Sequence, residues 1–159
     1  MFILVDTREK PSEMSRITDT FQQHGIRYDR TKLYIGDYLE FGNPFLRIDR
    51  KKSIDELAGN LTVERERFKR EIQRAKDTGT TLVILVEQNT YRDGDRRIQI
   101  GSIEDLMLWE SRYSTVTGEK LYRILVSWCA KYPIRVEFCA KRDTGKRIIE
   151  ILGGGNDKR

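Results

Sequence analysis

Within Phe45–Lys51 the residues alternate as they do on a strand, so Asp49 and Lys51 share one face while Ile48 and Arg50 share the other. A carboxylate and an amine therefore aim at one point. Upstream, Gly36-Asp37 sits between two β-like runs, and a hairpin joining them would bring a second carboxylate beside Asp49. Two carboxylates at short range do not both stay ionised without a cation between them, and hard oxygen ligands of this kind suit Mg2+ or Mn2+. The chemistry such a set could do is metal-dependent hydrolysis of a phosphodiester.

Taken singly, each piece also has an ordinary reading. Gly-Asp is a common turn dipeptide. Asp49-Arg50-Lys51-Lys52 could be a charged edge that keeps a strand from pairing. Ser53 with Glu56 forms a capping box, in which Asp55 would favour the helix dipole. In order, and at a spacing one hairpin can satisfy, the pieces favour a site.

The order Asp6-Thr7-Arg8-Glu9, then Gly36-Asp37, then Asp49-Arg50-Lys51 with Asp55 after three residues, resembles the nuclease (ERCC4) domain of the XPF-type structure-specific endonucleases. Their pattern is G-D, a variable gap, then E-R-K-x-x-x-D, and Asp49 stands where that glutamate would be. The shorter side chain bears on metal preference and efficiency. The resemblance implies a restriction-endonuclease-like α/β fold, with a central mixed sheet flanked by helices. It implies a metal-dependent DNA endonuclease acting on branched or flapped DNA in repair or recombination. Asp37 and Asp49, with Asp6, would hold Mg2+ or Mn2+, and Lys51 would orient water or stabilise the transition state. Arg50, Arg8, Glu9 and Asp55 would support the site. Related domains pair through their helices, which leaves room for a homodimer, and a stand-alone domain of this size fits a phage or mobile-element nuclease by analogy. Two rivals share the fold: a DNA- or partner-binding module that has lost chemistry, and a resolvase or restriction-type nuclease with another substrate.

The elements that must position these residues follow from the pattern of the chain. Phe2–Val5 and Thr80–Val86 are apolar runs expected as buried strands, ending in Asp6 and Glu87 respectively. Glu87 reads as a turn acid or an outer member of the acidic cluster. Met14, Ile17, Phe21 and His24 make one helical stripe ending at Gly25, and His24, the only histidine, suits a dipole or packing role. Ile26–Leu33, Tyr38–Phe41 and Phe45–Lys51 are expected to form a meander, with turns at Gly36-Asp37 and Gly42-Asn43-Pro44. A short helix follows from Ser53 to about Asn60, and Thr62 is expected to cap the next.

The helix expected over Thr62–Lys76 is the most charged segment. It is either a salt-bridged surface helix, with Glu66 paired to Arg70 and Glu71 near Arg67 and Arg74, or a phosphate-tracking surface crowded by Arg65, Arg67, Lys69, Arg70, Arg74 and Lys76, with Arg65, Lys69 and Arg70 the residues expected to touch DNA. Tyr91–Arg97 reads as an exposed loop. Ser102 is expected to open a helix carrying Ile103, Leu106, Met107 and Trp109, and Leu121 to Cys129 another that packs on the sheet. Trp109 and Trp128 lie on apolar stripes as core or interface groups. Ile134–Phe138 is a last strand and Ile148–Leu152 a last helix.

At 159 residues the chain is expected to be one nuclease domain over residues 1–152 with a C-terminal tail at 153–159. Its 30 basic and 25 acidic residues give a net charge of +5, which fits a polyanion partner such as DNA. No run reaches the ~20 apolar residues of a membrane-spanning helix. Cys129 and Cys139 lack metal-ligand spacing and read as core thiols. A reducing cytoplasm is the expected location, with the nucleoid if the chain is bacterial or phage.

Overall fold

The computed structural model describes residues 1–154. The strands are β1 (Phe2–Asp6), β2 (Arg27–Thr31), β3 (Tyr38–Glu40), β4 (Asn43–Lys51), β5 (Thr81–Val86), β6 (Thr90–Asp93), β7 (Arg96–Gln99) and β8 (Ile134–Phe138). The α-helices are α1 (Pro11–Gln23), α2 (Ile54–Leu61), α3 (Arg65–Asp77), α4 (Gly118–Lys131) and α5 (Thr144–Gly153). Gly153 closes α5, so the expected tail begins inside the helix, and 155–159 lie outside the described residues.

One mixed sheet has the order β2-β1-β3-β4-β5-β8, and only β3 runs against the others. Every second side chain of β5 enters a different layer, as a buried strand requires. Leu82, Ile84 and Val86 pack with α2, α3 and α4, through residues such as Leu57, Ile72 and Leu125. Val83 and Leu85 pack with Ile3 and Val5 of β1 and with α1 and α5, through residues such as Phe21 and Ile148. Both tryptophans are buried in the first layer.

The expected meander does not form. β2 and β3 do not pair, because both lie against β1, parallel on one side and antiparallel on the other. Apolar β1 is thereby covered on both edges, and Arg27–Thr31, mostly exposed and polar, becomes the outer strand. Of the three strands expected in the meander, β3 and β4 pair as a hairpin, turning at Phe41-Gly42 one residue earlier than expected. The Tyr91–Arg97 segment is a β6–β7 hairpin in a separate two-stranded sheet, turned at Gly94 with φ of 61°.

Ser102 opens only a single 3-10 turn, Ile103–Leu106, although its reciprocal capping with Asp105 is present. The chain then turns back, and Gly118 is seated on the carbonyl of Leu106. Thr62 bonds back to the Ala58 carbonyl (2.7 Å) and so ends α2 instead of capping α3. His24 is exposed, with Nδ1 2.9 Å from the Thr20 carbonyl oxygen.

Two glycines should respond to alanine with opposite signs. A Cβ at Gly118 would lie 1.7 Å from Leu106 O, a backbone atom that cannot yield, whereas one at Gly59 within α2 meets nothing within 4 Å. Urea unfolding should show Gly118→Ala losing at least about 2 kcal/mol and Gly59→Ala gaining about 0.5–1 kcal/mol.

Candidate active site

The carboxyl ends of β1, β4 and β5 and the start of β3 meet at one edge of the sheet, where open α/β sheets place their ligands. A cleft there is lined on its sheet side by Glu9, Asp37, Asp49 and Lys51, and on its α3 side by Arg70 and Glu71. Gly36 makes the approach of Asp37 to β4 feasible. Its φ is 70°, and a Cβ there would lie 2.9 Å from Ile48 O. With that space open, Asp37 N donates to Ile48 O (2.7 Å) and Asp37 Oδ2 accepts from Arg50 N (2.8 Å).

The alternation expected for β4 holds. Asp49 and Lys51 turn toward α3, where the Lys51 ammonium lies 3.2 Å from Asp49 Oδ2 and 4.8 Å from the centre of the Phe68 ring. Arg50 turns the other way and is buried between two acids. Its Nε donates to Glu9 Oε1 (3.0 Å), one terminal nitrogen donates to the other Glu9 oxygen, and the second donates to Glu87. Thr144 Oγ1 of α5 donates to the remaining Glu87 oxygen (2.8 Å). Glu87 thus belongs to this buried network under the sheet and not to the acidic cleft.

Burial pushes the Asp37 carboxyl well above the usual range, and the neighbouring charges of Asp49 and Glu9 push it further, against the bond from Arg50 N. Glu71 is also raised, first by burial and then by Asp49, although it accepts a hydrogen bond from Gly36 N (2.8 Å). For Lys51 burial acts downward, but Asp49 and Asp37 outweigh it, so the amine stays an ammonium at neutral pH. Asp49 Oδ2 is buried and accepts no hydrogen bond, since its contact with Lys51 has the distance of an ion pair without the alignment. Paired acids with an orphaned oxygen are a donor set that fits a divalent cation. Among the described residues no group of three His, Cys, Asp or Glu side chains forms a finished cage. Mg2+ commonly completes its shell with water and substrate oxygens.

The other expected site residues divide. Arg8 and Glu9 line the cleft. Asp6 is fully buried, one oxygen accepting from Leu33 N (2.9 Å) and the other paired with Arg8, so it braces the loop leading to Asp37 and does not line the cleft. Asp55 stands in the first turn of α2 and accepts from Ser111 Oγ (2.5 Å), and it does not line the cleft. Arg70 faces the cleft, whereas Arg65 lies 5.7 Å over the Trp128 ring and Lys69 is not part of the lining.

Glu71, Arg67 and Arg74 also line the cleft; Arg67 and Arg74 belong to the basic crowd expected on this helix, whereas Glu71 was expected only in surface pairing. Their signal was helical spacing: Arg67, Arg70, Glu71 and Arg74 recur at three and four residues and so share a face. Glu71 also directly precedes buried Ile72 and follows buried Phe68 by three.

A family model described as the ERCC4 domain matches residues 5–152, and the chain belongs to that family. The fold is the restriction-endonuclease-like α/β fold of XPF from Aeropyrum pernix. The match has a TM-score of 0.68 at 19% identity and covers 99% of this chain and 66% of that one. The same XPF in complex with DNA matches with a TM-score of 0.68 at 20% identity, with the same coverage. The chain thus spans about two-thirds of the length of that XPF. The comparison with curated proteins found no match.

The raised Asp37 carboxyl makes a prediction about stability. Its folded pKa lies above the unfolded value of about 4, so its ionisation opposes folding above that pH, and increasingly as pH rises through the folded pKa. Without divalent metal, Asp37→Asn should therefore unfold at a higher temperature than wild type at pH 7. The difference should shrink as the pH falls toward about 4. Thermal melts in EDTA across this range provide the check.

Proposed function

We propose that the chain is a divalent-metal-dependent DNA endonuclease that hydrolyses phosphodiester bonds in branched or flapped DNA. The observation that carries this reading is the pair Asp37 and Asp49, one carboxyl with a strongly raised pKa and the other with a buried oxygen left unbonded, beside an ammonium. Mg2+ or Mn2+ held by Asp37 and Asp49 would supply a Lewis acid at a phosphoryl oxygen and lower the pKa of a bound water. Lys51 would donate to the attacking water or to the non-bridging oxygens, where negative charge builds in the transition state. Arg50 touches no substrate in this scheme. It holds β4 from the opposite layer, and its backbone N–H fixes the rotamer of Asp37.

The DNA would be held by its phosphates. Arg67, Arg70 and Arg74 on α3, with Arg8 and Lys52 across the cleft, make a cationic border around the acids. Membership in the ERCC4 domain family and the likeness to an XPF solved with DNA support this reading. The preference for branched substrates rests on the family resemblance. Asp49 in place of the family's glutamate favours one competing reading, a binding module with little or no chemistry.

Cleavage of a labelled panel of fork, flap, four-way junction and linear duplex with Mg2+ or Mn2+ separates the readings. Wild type should cut, EDTA should stop it, and Asp49→Asn should lower the rate by about 100-fold or more. Binding by that variant should be equal or tighter, because a repulsive charge has been removed. Unchanged cutting by Asp49→Asn would refute the site. Salt-sensitive binding without cutting would favour the module, and strong cutting of plain duplex would contradict the substrate assignment.

A further inference from the structure

Between β2 and β3, the segment 32–36 delivers Asp37 to the cleft, and side chains from several elements hold its backbone. Leu33 N donates to Asp6 (2.9 Å), and Leu33 O accepts from Arg8 (3.2 Å). Tyr34 O accepts from both Nε (3.3 Å) and a terminal nitrogen (3.1 Å) of Arg74. Ile35 O accepts from Arg47 (3.2 Å), and Gly36 N donates to Glu71 (2.8 Å). A loop held at four successive residues has little freedom left to lose on binding.

The side chain carried by this fixed loop is nevertheless an aromatic ring in solvent. Tyr34 is 67% exposed, flanked by Leu33 and Ile35, which are 6% and 5% exposed. The Lys32 ammonium stands 5.0 Å from the centre of its ring. Three of the side chains that clamp the loop, Arg8, Glu71 and Arg74, are themselves walls of the cleft. The backbone of Tyr34 is thus tied to a wall of the cleft three residues before Asp37, and its exposed ring, outside the cleft lining, has a cation beside it. Exposed Phe41 differs in that its ring already rests near Phe2, with centroids 5.7 Å apart.

We infer that Tyr34, with Lys32, is a stacking platform for an unpaired nucleobase next to the scissile phosphate. A π face accepts any base without reading its edges, and a neighbouring ammonium neutralises the adjoining phosphate. Bases inside a duplex have both faces covered, so the platform favours DNA with a single-stranded segment entering the cleft. This inference rests on the proposed nuclease reading and adds to it the residue that senses unpaired DNA. The bonds from Arg74 and Glu71 mean that the backbone carrying the ring is held in place before the strand arrives.

The test uses forked DNA with 2-aminopurine as the first unpaired nucleotide beside the junction, titrated with the full chain in EDTA, so that binding is read without cleavage. Wild type and Tyr34→Phe should quench its fluorescence on binding. Tyr34→Ala should lose the quench and bind the fork about tenfold more weakly. Its affinity for fully paired duplex should change by less than about twofold, because phosphate contacts dominate there. The exposed ring contributes little to the core, and an unaltered melting temperature verifies folding. Equal losses on fork and duplex, or no loss on either, would overturn the platform. Cleavage with Mg2+ separates the two ideas: a wild type that quenches but never cuts overturns the nuclease and leaves the platform. A wild type that cuts, with Tyr34→Ala quenching normally, overturns the platform and leaves the nuclease.

Discussion

The buried contact of Arg50 with Glu9 and Glu87 is the constraint on which the site depends. A guanidinium matches two carboxylates with fixed donor geometry, and this one joins the segment after β1, the strand β4 and the end of β5 beneath the cleft. Because strand side chains alternate, committing Arg50 to one layer commits Asp49 and Lys51 to the other. Buried ion pairs of this kind add little net stability, but a partner left alone is costly, by about 3–5 kcal/mol. Their effect here is on register: a one-residue slip of β4 would bury Asp49 and Lys51 under the sheet and leave Glu9 and Glu87 without a cation.

Against that anchor the cleft holds unfavourable charge. Asp37 and Asp49 are brought together by the β3–β4 pairing, and Glu71 approaches from α3, so burial and mutual repulsion raise Asp37 and Glu71 together. Lys51 offsets part of this charge. The remainder is maintained by structure that does not itself contact substrate: Gly36 with its positive φ, Asp6 bonded to Leu33 N of the loop and to Arg8, and the main-chain bond from Arg50 to Asp37. Perturbed acids sustained at the carboxyl edge of a sheet are what a metal-assisted hydrolase needs.

Much of this was legible in the sequence where local pattern decides the outcome. The two apolar strands and the alternation of Asp49, Arg50 and Lys51 depend on neighbours in sequence, and the structure reproduces them, whereas the hairpin expected at Gly36-Asp37 does not form and Asp37 reaches Asp49 through the β3–β4 pairing instead. What depends on non-local pairing was not legible. The meander failed because nothing within residues 26–41 indicates that β1 needs a partner on each edge. Asp6 and Asp55 carry the motif's residue types but are taken by Leu33, Arg8 and Ser111, partners remote in sequence apart from Arg8. Glu71 was hidden among the charges of α3, since the helical pattern shows a face without showing what that face meets. Glu87 was ambiguous for the same reason until Arg50 and Thr144 came into view.

The central claim is that Asp37 and Asp49 are held in mutual repulsion that a divalent cation relieves. The most direct measurement is the melting temperature of the full chain at neutral pH against increasing MgCl2, with NaCl series matched in ionic strength. A ligand that binds only the folded state stabilises it by RT ln(1 + [L]/Kd). The account predicts a saturable rise with Mg2+ beyond that in NaCl, much reduced in Asp49→Asn. Superimposable Mg2+ and NaCl curves for wild type would contradict it, because the acids would then be balanced within the protein.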